Sequence, residues 1–465
     1  MKGINAFTPL AVASAVSAST LPDSLIPSYF KRASSLPEVT VKGNAFFAGN
    51  DRFYVRGIDY QPGGSSDAVD PIADEDTCTR DIKEFTKLKI NTVRVYTIDN
   101  SKNHDACMNA LAQAGIYLAL DVNTPKYSIN QKSPAKSYNS EYLQSVFATI
   151  DEFAKYSNTL LFFSGNEVIN DISTSASAPY VKAVTRDMKQ YIGNRKYRPI
   201  PVGYSAADID DNRVETAHYM NCGTDDERSD FFAFNDYSWC DPSTFTTSTW
   251  EEKVKAFSNY SIPIFLSEYG CVKSPRKFEE VKTLYGTQMT SVYSGGLVYE
   301  YSKEGTAPPQ SKYGLVDISG DSVKELPDFQ ALQTAFSSNP LPTGDGGYKS
   351  NGQASTCPSK SKTFLVSGDN LPAIPPKAKN FFSKGAGKGP GLSGGGSQDA
   401  GAESPGTASA GSGKPTASGT SGSSSASSTS SSKSAANGQM GDFSFGPLVC
   451  GLVVALSSFV GAMLV

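Results

Sequence analysis

Residues 160–168 read Leu-Leu-Phe-Phe-Ser-Gly-Asn-Glu-Val, an apolar run that passes almost directly into an Asn-Glu pair. Four consecutive apolar side chains imply a strand buried on both faces, and Gly165 lets the backbone break where that strand ends. Glu167 then emerges at the rim of a core. Partial desolvation there raises a carboxyl pKa and suits a proton donor working near neutral pH. Residues 262–269, Ile-Pro-Ile-Phe-Leu-Ser-Glu-Tyr, repeat the pattern and deliver Glu268 from the end of a second buried strand. Two such carboxylates are the minimum equipment for cleaving a glycosidic bond.

Working outward, strand patterns occur at 53–60, 92–98, 117–122, 160–165, 200–204, 231–237, 262–268 and 296–301. Helix-period spacing falls between them at 75–88, 105–114, 141–156, 178–192, 249–257 and 277–289, and after the last strand at 327–336. This alternation predicts an α/β fold, a (β/α)8 TIM barrel over 36–342, rather than an open doubly wound sheet. Ahead of it, apolar runs at 39–47 and 52–58 flank Ala48-Gly49-Asn50-Asp51, predicting a β-hairpin that closes one end. The carboxyl ends of parallel barrel strands share one face, so Glu167 and Glu268, ending the fourth and seventh strands, are expected at one mouth.

The chain of 465 residues carries 42 Lys and Arg against 46 Asp and Glu, a net charge of -4 that offers no field for nucleic acid. Only two histidines, His104 and His218, are present, and the cysteines lack C-x-x-C spacing. A Ser/His/Asp triad and the usual zinc sites are therefore disfavoured, and no metal is expected. No glycine-rich phosphate loop follows a strand, so no cofactor is expected either.

Both ends look like processing signals. Residues 1–18 resemble a secretory signal peptide. Residues 438–465 read as a glycosylphosphatidylinositol (GPI) attachment propeptide, because Phe443 to Val465 is apolar and uncharged and follows a polar spacer behind the small residues 434–438, with attachment near Ala436 or Asn437. The expected destination is the outer face of the plasma membrane. Losing the tail removes Cys450 and leaves six cysteines, enough for three disulfides in an oxidising compartment. Between barrel and tail, 343–384 is read as an extension containing Cys357, and 385–437 as a Ser/Gly-rich flexible stalk with little to bury. Asn259-Tyr-Ser is an N-glycosylation sequon.

Strand alternation puts Thr92, Arg94 and Tyr96 on one face, looking inward. Arg94 is then expected to pair with Glu268 and hold it ionised as a nucleophile, while Glu167, lacking a cationic partner, stays protonated. The sixth strand ends Asn235-Asp236-Tyr237-Ser238-Trp239, and the eighth supplies Tyr299 and Tyr301. Aromatic side chains around one mouth suit sugar rings. Asp121, Asn123, Asp208 and Arg213, following the third and fifth strands, are candidates for binding sugar hydroxyls.

Five segments together, Tyr-Gln-Pro-Gly-Gly at 60–64, Val-Arg-Val-Tyr at 93–96, Ser-Gly-Asn-Glu at 164–167, Leu-Ser-Glu-Tyr-Gly at 266–270 and Tyr-Glu-Tyr-Ser at 299–302, resemble the fungal GPI-anchored β-1,3-glucanosyltransferases of glycoside hydrolase family 72. The resemblance implies Glu167 as acid/base and Glu268 as nucleophile of a retaining transglycosylase. It places Tyr96, Asn123, Asn166, Asp208, Arg213, Tyr237 and Tyr299 around donor and acceptor β-1,3-glucan, and implies a monomer. It also implies the disulfides Cys78–Cys107, Cys222–Cys357 and Cys240–Cys271. Cys357 is the sole cysteine between barrel and tail, so the family's cysteine-rich glucan-binding module is not expected. Two other readings use the same residues: a retaining endo-β-1,3-glucanase with water as acceptor, and a non-catalytic glucan-binding wall protein.

Overall fold

The computed structural model describes residues 36–64, 68–305 and 312–408. The signal peptide, the attachment residues Ala436 and Asn437 and most of the Ser/Gly-rich stretch lie outside the described residues.

Eight strands close into a barrel in chain order: β4 (Val55–Asp59), β5 (Thr92–Val95), β6 (Tyr117–Asp121), β7 (Thr159–Asn166), β8 (Val202–Ala207), β9 (Phe231–Asp236), β10 (Ile264–Tyr269) and β11 (Tyr293–Val298). Every neighbouring pair is parallel. The helices α1 (Glu75–Leu88), α2 (Asp105–Gln113), α3 (Pro134–Ser137), α4 (Ser140–Phe153), α5 (Ala178–Asn194), α6 (Arg213–Met220), α7 (Trp250–Ala256) and α8 (Glu280–Leu284) occupy the crossovers, and α9 (Pro327–Ser338) follows the barrel. Helix starts obey local chemistry. The Asp74 carboxylate accepts from Thr77 N at 2.8 Å at the head of α1, and Asn139 Oδ1 from Tyr142 N at 2.9 Å at the head of α4. The short helix α6 has only a weak apolar stripe, which is why the periodicity does not announce it.

Several strand expectations shift: the second barrel strand ends at Val95 instead of 98, and the fifth runs Val202–Ala207 instead of 200–204. The eighth strand starts at Tyr293 instead of 296 and ends at Val298, because Gly295 and Gly296 interrupt its apolar pattern while letting backbones meet closely. A Cβ at Gly295 would stand 2.0 Å from the Val55 carbonyl oxygen. The expected single hairpin is a three-stranded antiparallel sheet, β1 (Val39–Lys42), β2 (Ala45–Ala48) and β3 (Asp51–Phe53). Gly43, at φ 56°, supplies the turn that the run of apolar residues conceals. The sheet plugs the amino-terminal end of the barrel. Phe46 packs edge-on against Phe265 at 5.9 Å, and Val55, Leu161, Phe163, Phe231, Ala233 and Leu297 complete the apolar floor.

Disulfides join Cys78 to Cys107, Cys222 to Cys357 and Cys240 to Cys271. The first ties α1 to α2, and the third ties the loops after β9 and β10. The second fastens the extension, which does not leave the barrel near residue 385. It remains docked through Ala408, burying Phe364, Leu371, Ile374, Ala378 and Ala386. A short helix α10 (Lys379–Lys384) lays Phe382 against Phe147 at 5.8 Å. The Gly/Ser composition concealed this docking because much of the attachment is through backbone groups. Ala386 N donates to Tyr191 Oη at 2.9 Å, and Gln144 Nε2 to the Ala386 and Lys388 carbonyls, both at 2.9 Å.

Cys357→Ser is expected to lower unfolding stability by about 3–4 kcal/mol, since a cross-link spanning so long a loop restricts the unfolded chain strongly. Urea unfolding followed by circular dichroism measures it, and proteolysis within 343–408 should accelerate in parallel.

Candidate active site

Alternation in the barrel strands sets a polar layer directly above the apolar floor. On β4, Val55 is followed inward by Gly57 and Asp59. On β6, Ala119 is followed by Asp121, and on β9, Ala233 by Asn235. Arg94, on β5 and opposite Asp59 in register, fills the axis with no solvent exposure. Its guanidinium lies 4.5 Å from the centre of the Phe163 ring and 4.2 Å from that of Tyr96.

Glu167 and Glu268 reach this layer because their strands are irregular. Continuing the alternation past Phe265 would aim Ser267 inward and Glu268 away. A bulge between Leu266 and Glu268 places Glu268 opposite Asn235 and turns both side chains inward. A second bulge, between Phe163 and Asn166, sets Asn166 opposite Ser205. Glu167 follows with φ 49°, a left-handed conformation that costs a non-glycine residue about 1–3 kcal/mol and concentrates at functional sites. The backbone break expected at Gly165 is thus spread over this bulge and Glu167 itself.

Glu268, 7% exposed, is held from three sides. Tyr96 Oη donates to Oε1 at 2.7 Å, Tyr237 Oη to Oε2 at 2.7 Å, and Arg94 Nη1 approaches Oε1 at 3.3 Å. Glu167 is half-buried and accepts from Asn235 Nδ2 at 2.9 Å. Asn235 Nδ2 also reaches Asn166 Oδ1 at 3.1 Å, and Ser205 Oγ donates to the same oxygen at 2.7 Å.

The charges differ from the sequence expectation. Arg94 bonds most closely to Asp121, through Nε at 2.8 Å and Nη2 at 3.2 Å, so Asp121 anchors the arginine and spends both oxygens on it. Burial pushes Glu268 up to about 7, with Arg94 opposing and the neighbouring Glu167 adding to the rise. Glu167 is raised as well, by burial, against the Asn235 hydrogen bond and Arg94. Asp59, buried beside Arg94 and two other carboxylates, is driven well above the usual carboxylate range. One arginine cannot neutralise this many acids at low dielectric, so Glu268 and Asp59 compete for its charge.

The remaining candidates divide. Tyr299 joins the site, its ring edge-on to Tyr96 at 6.5 Å and to Tyr237 at 6.3 Å, with Tyr313 against both Tyr237 and Tyr299. Asn123 donates to the Ser164 carbonyl at 3.1 Å and accepts from Tyr142 Oη at 2.6 Å. Asp208 and Arg213 bond to each other at 2.6 Å and, through Lys253, to Asp236, forming a compensated ion cluster with no bond to either glutamate. Tyr301 turns into the core, donating to Asp81 at 2.7 Å, and Trp239 packs at a tilt against Trp250, ring centres 5.0 Å apart. His104 is enclosed by Asp70 and Glu152, and His218 Nδ1 meets Ser355 Oγ. Asn235 was not singled out as a site residue. Its position two residues beyond the inward Ala233 was the signal.

The glucanosyltransferase model of glycoside hydrolase family 72 matches residues 28–340. The 1,3-beta-glucanosyltransferase gel1 of Aspergillus fumigatus is 64% identical over 381 residues, 82% of each chain. The 1,3-beta-glucanosyltransferase GAS5 of Saccharomyces cerevisiae is 54% identical, covering 76% of this chain and 73% of its own. Among solved structures, a Glu-to-Gln mutant of Saccharomyces cerevisiae Gas2p in complex with laminaritetraose and laminaripentaose superposes with a TM-score of 0.68 at 38% identity, over 74% of this chain and 76% of that one.

Carboxyl titration by isotope-edited NMR should find the Glu268 midpoint above the ordinary glutamate range. Glu167→Gln removes a neighbouring negative charge and should lower that midpoint. Tyr237→Phe removes a donor to the carboxylate and should raise it.

Proposed function

The chain belongs to the glucanosyltransferase family, glycoside hydrolase family 72, and from that premise we propose that it lengthens β-1,3-glucan by a retaining double displacement in which Glu268 is the nucleophile and Glu167 the acid and base. The observation that carries this reading is the unequal grip on two carboxyls at one barrel mouth. Glu268 is clamped by Tyr96, Tyr237 and Arg94, whereas Glu167 holds a single amide and is free to exchange a proton.

In the first half-reaction Glu268 Oε attacks the anomeric carbon of an internal linkage while Glu167 delivers its proton to the departing oxygen. A covalent glycosyl-enzyme forms and the reducing-end fragment leaves. Ionisation of the nucleophile is favoured as Glu167 enters protonated, since only one of two adjacent buried acids need be charged. The Tyr96 and Tyr237 hydroxyls orient the Glu268 carboxylate by donating to it, and these bonds weaken as its charge is lost to the forming ester. In the second half-reaction the ionised Glu167 takes the proton from the 3-hydroxyl of an incoming non-reducing end, whose oxygen displaces Glu268. The partly exposed rings of Tyr237, Tyr299 and Tyr313 give the acceptor sugar apolar surface that water cannot use, which supports transfer over hydrolysis.

The terminal sequences support a secreted chain that loses residues 1–18 and the tail after Ala436 or Asn437 and works GPI-anchored on the outer face of the plasma membrane, where we take it to act as a monomer. Occupancy of Asn259 by an N-glycan belongs to the same route.

Incubation with a borohydride-reduced laminari-oligosaccharide should yield a mass ladder extending above as well as below the starting length, with new linkages β by NMR. Products that are only shorter would make it a hydrolase, and α products would exclude a covalent Glu268 intermediate. Glu268→Gln should lose turnover by at least roughly a thousand-fold while still binding the oligosaccharide. An active Glu268→Gln protein contradicts the assignment.

A further inference from the structure

The post-barrel segment runs along the rim of the barrel face that carries the site, against the loops after β5 and β6 and the head of α4. Beyond α10, Gly391 N donates to Asn100 Oδ1 at 2.9 Å in the loop after β5. Lys126, in the loop after β6, donates to the Leu392 and Gly394 carbonyls at 3.0 and 3.2 Å. Ser397 N returns a bond to the Lys126 carbonyl at 3.0 Å, and Gln398 Nε2 reaches Ser128 Oγ at 2.7 Å. The segment then grips the first turn of α4: Asn139 Nδ2 donates to the Ser397 carbonyl at 2.8 Å, and Ser140 N to Glu403 Oε2 at 2.8 Å.

From that turn a continuous chain of bonds leads into the site. The other end of the Asn139 amide accepts from Tyr142 N at 2.9 Å, and Tyr142 Oη donates to Asn123 Oδ1 at 2.6 Å. Asn123 Nδ2 donates to the carbonyl of Ser164, in the β7 bulge that leads to Glu167. The Tyr142 ring is fully buried, so its hydroxyl cannot move without α4. These bonds leave one N–H and one lone pair of the Asn123 amide unspent, a donor and acceptor set suited to a sugar hydroxyl.

We propose that residues 389–403 form a positioning strap for the glucan-binding rim, in which the Ser397 carbonyl and the Glu403 carboxylate hold the head of α4 and, through Tyr142, fix the amide of Asn123 against substrate. The proposal rests on the reading of this mouth as a β-1,3-glucan site. None of the strap residues touches the reacting atoms, so their effect falls on binding rather than on bond cleavage. Composition does not oppose this role: Gly389 lies so close to Asn100 that an added Cβ would stand 2.6 Å from the Asn100 carbonyl oxygen, so a bare backbone is what the contact requires.

The test uses the full-length secreted protein with Gly389→Ala, which wedges the strap off Asn100, and Glu403→Ala, which releases Ser140. Each should raise KM for a laminari-oligosaccharide roughly 5–10-fold with kcat within about two-fold, and speed hydrogen exchange across 123–130. Tyr142→Phe should raise KM similarly, and combining it with Glu403→Ala should add little, because both cut one chain of bonds. Unchanged KM in both strap variants, with only a lowered Tm, would make the segment a structural staple and overturn the proposal. Should Gly389→Ala not fold, Glu403→Ala alone carries the same decision. If the wild-type protein never elongates glucan, the functional reading fails separately, and the dissociation constant of laminaripentaose for the Glu403→Ala variant against wild type still decides the strap.

Discussion

A guanidinium with no solvent access, at the axis of a barrel whose floor is phenylalanine, is the constraint around which the upper half of this molecule is arranged. Arg94 stands above Phe163 and below Tyr96, with its nitrogens committed to Asp121, Glu268 and the Ser267 carbonyl. An ion taken out of water loses several kcal/mol unless hydrogen bonds and counter-charge replace the hydration. Asp121 supplies both through a two-point contact. What remains of the positive field is enough to bias Glu268 but too weak to overcome its burial, and the carboxylate stays a moderately basic group. A tighter Arg94–Glu268 pair would stabilise the ion at the expense of its reactivity.

Local irregularity does the rest of the placement. Regular β7 and β10 would send their terminal side chains alternately inward and outward, and the two glutamates would not share the axis. Each strand takes in one extra residue near its carboxyl end, and Glu167 accepts a left-handed backbone besides. The stability lost there is small against the burial of the barrel's aromatic floor, which makes such distortion tolerable where it has a use.

The extension past residue 342 shows how composition can mislead. Glycine, serine and proline suggest a chain with nothing to bury, and that inference concerns side chains. Here carbonyls and amides of a small-residue backbone meet Lys126, Gln144, Asn139, Asn100 and Tyr191, all presented by the barrel. Disulfide Cys222–Cys357 brings the segment within reach, and a few buried aromatic and aliphatic side chains anchor it.

Period and order in the sequence were sufficient for the barrel, for the strand ends that carry Glu167 and Glu268 to one mouth, though not for their turning inward, and for Arg94, Tyr96 and Tyr237 there, because strand-helix alternation and strand polarity are local properties that the chain repeats eight times. Asn235 was equally legible from its inward position on β9. Other features depend on partners distant in sequence and carry no local signature. These are the preference of Arg94 for Asp121, the enclosure of Asp208 and Arg213 with Lys253, and the turning of Trp239 and Tyr301 into the core. The bulges belong with them, since an extra residue is defined only against the neighbouring strand. Tertiary structure alone decided the proton affinities, because burial and the distances between charges exist only once the barrel has closed.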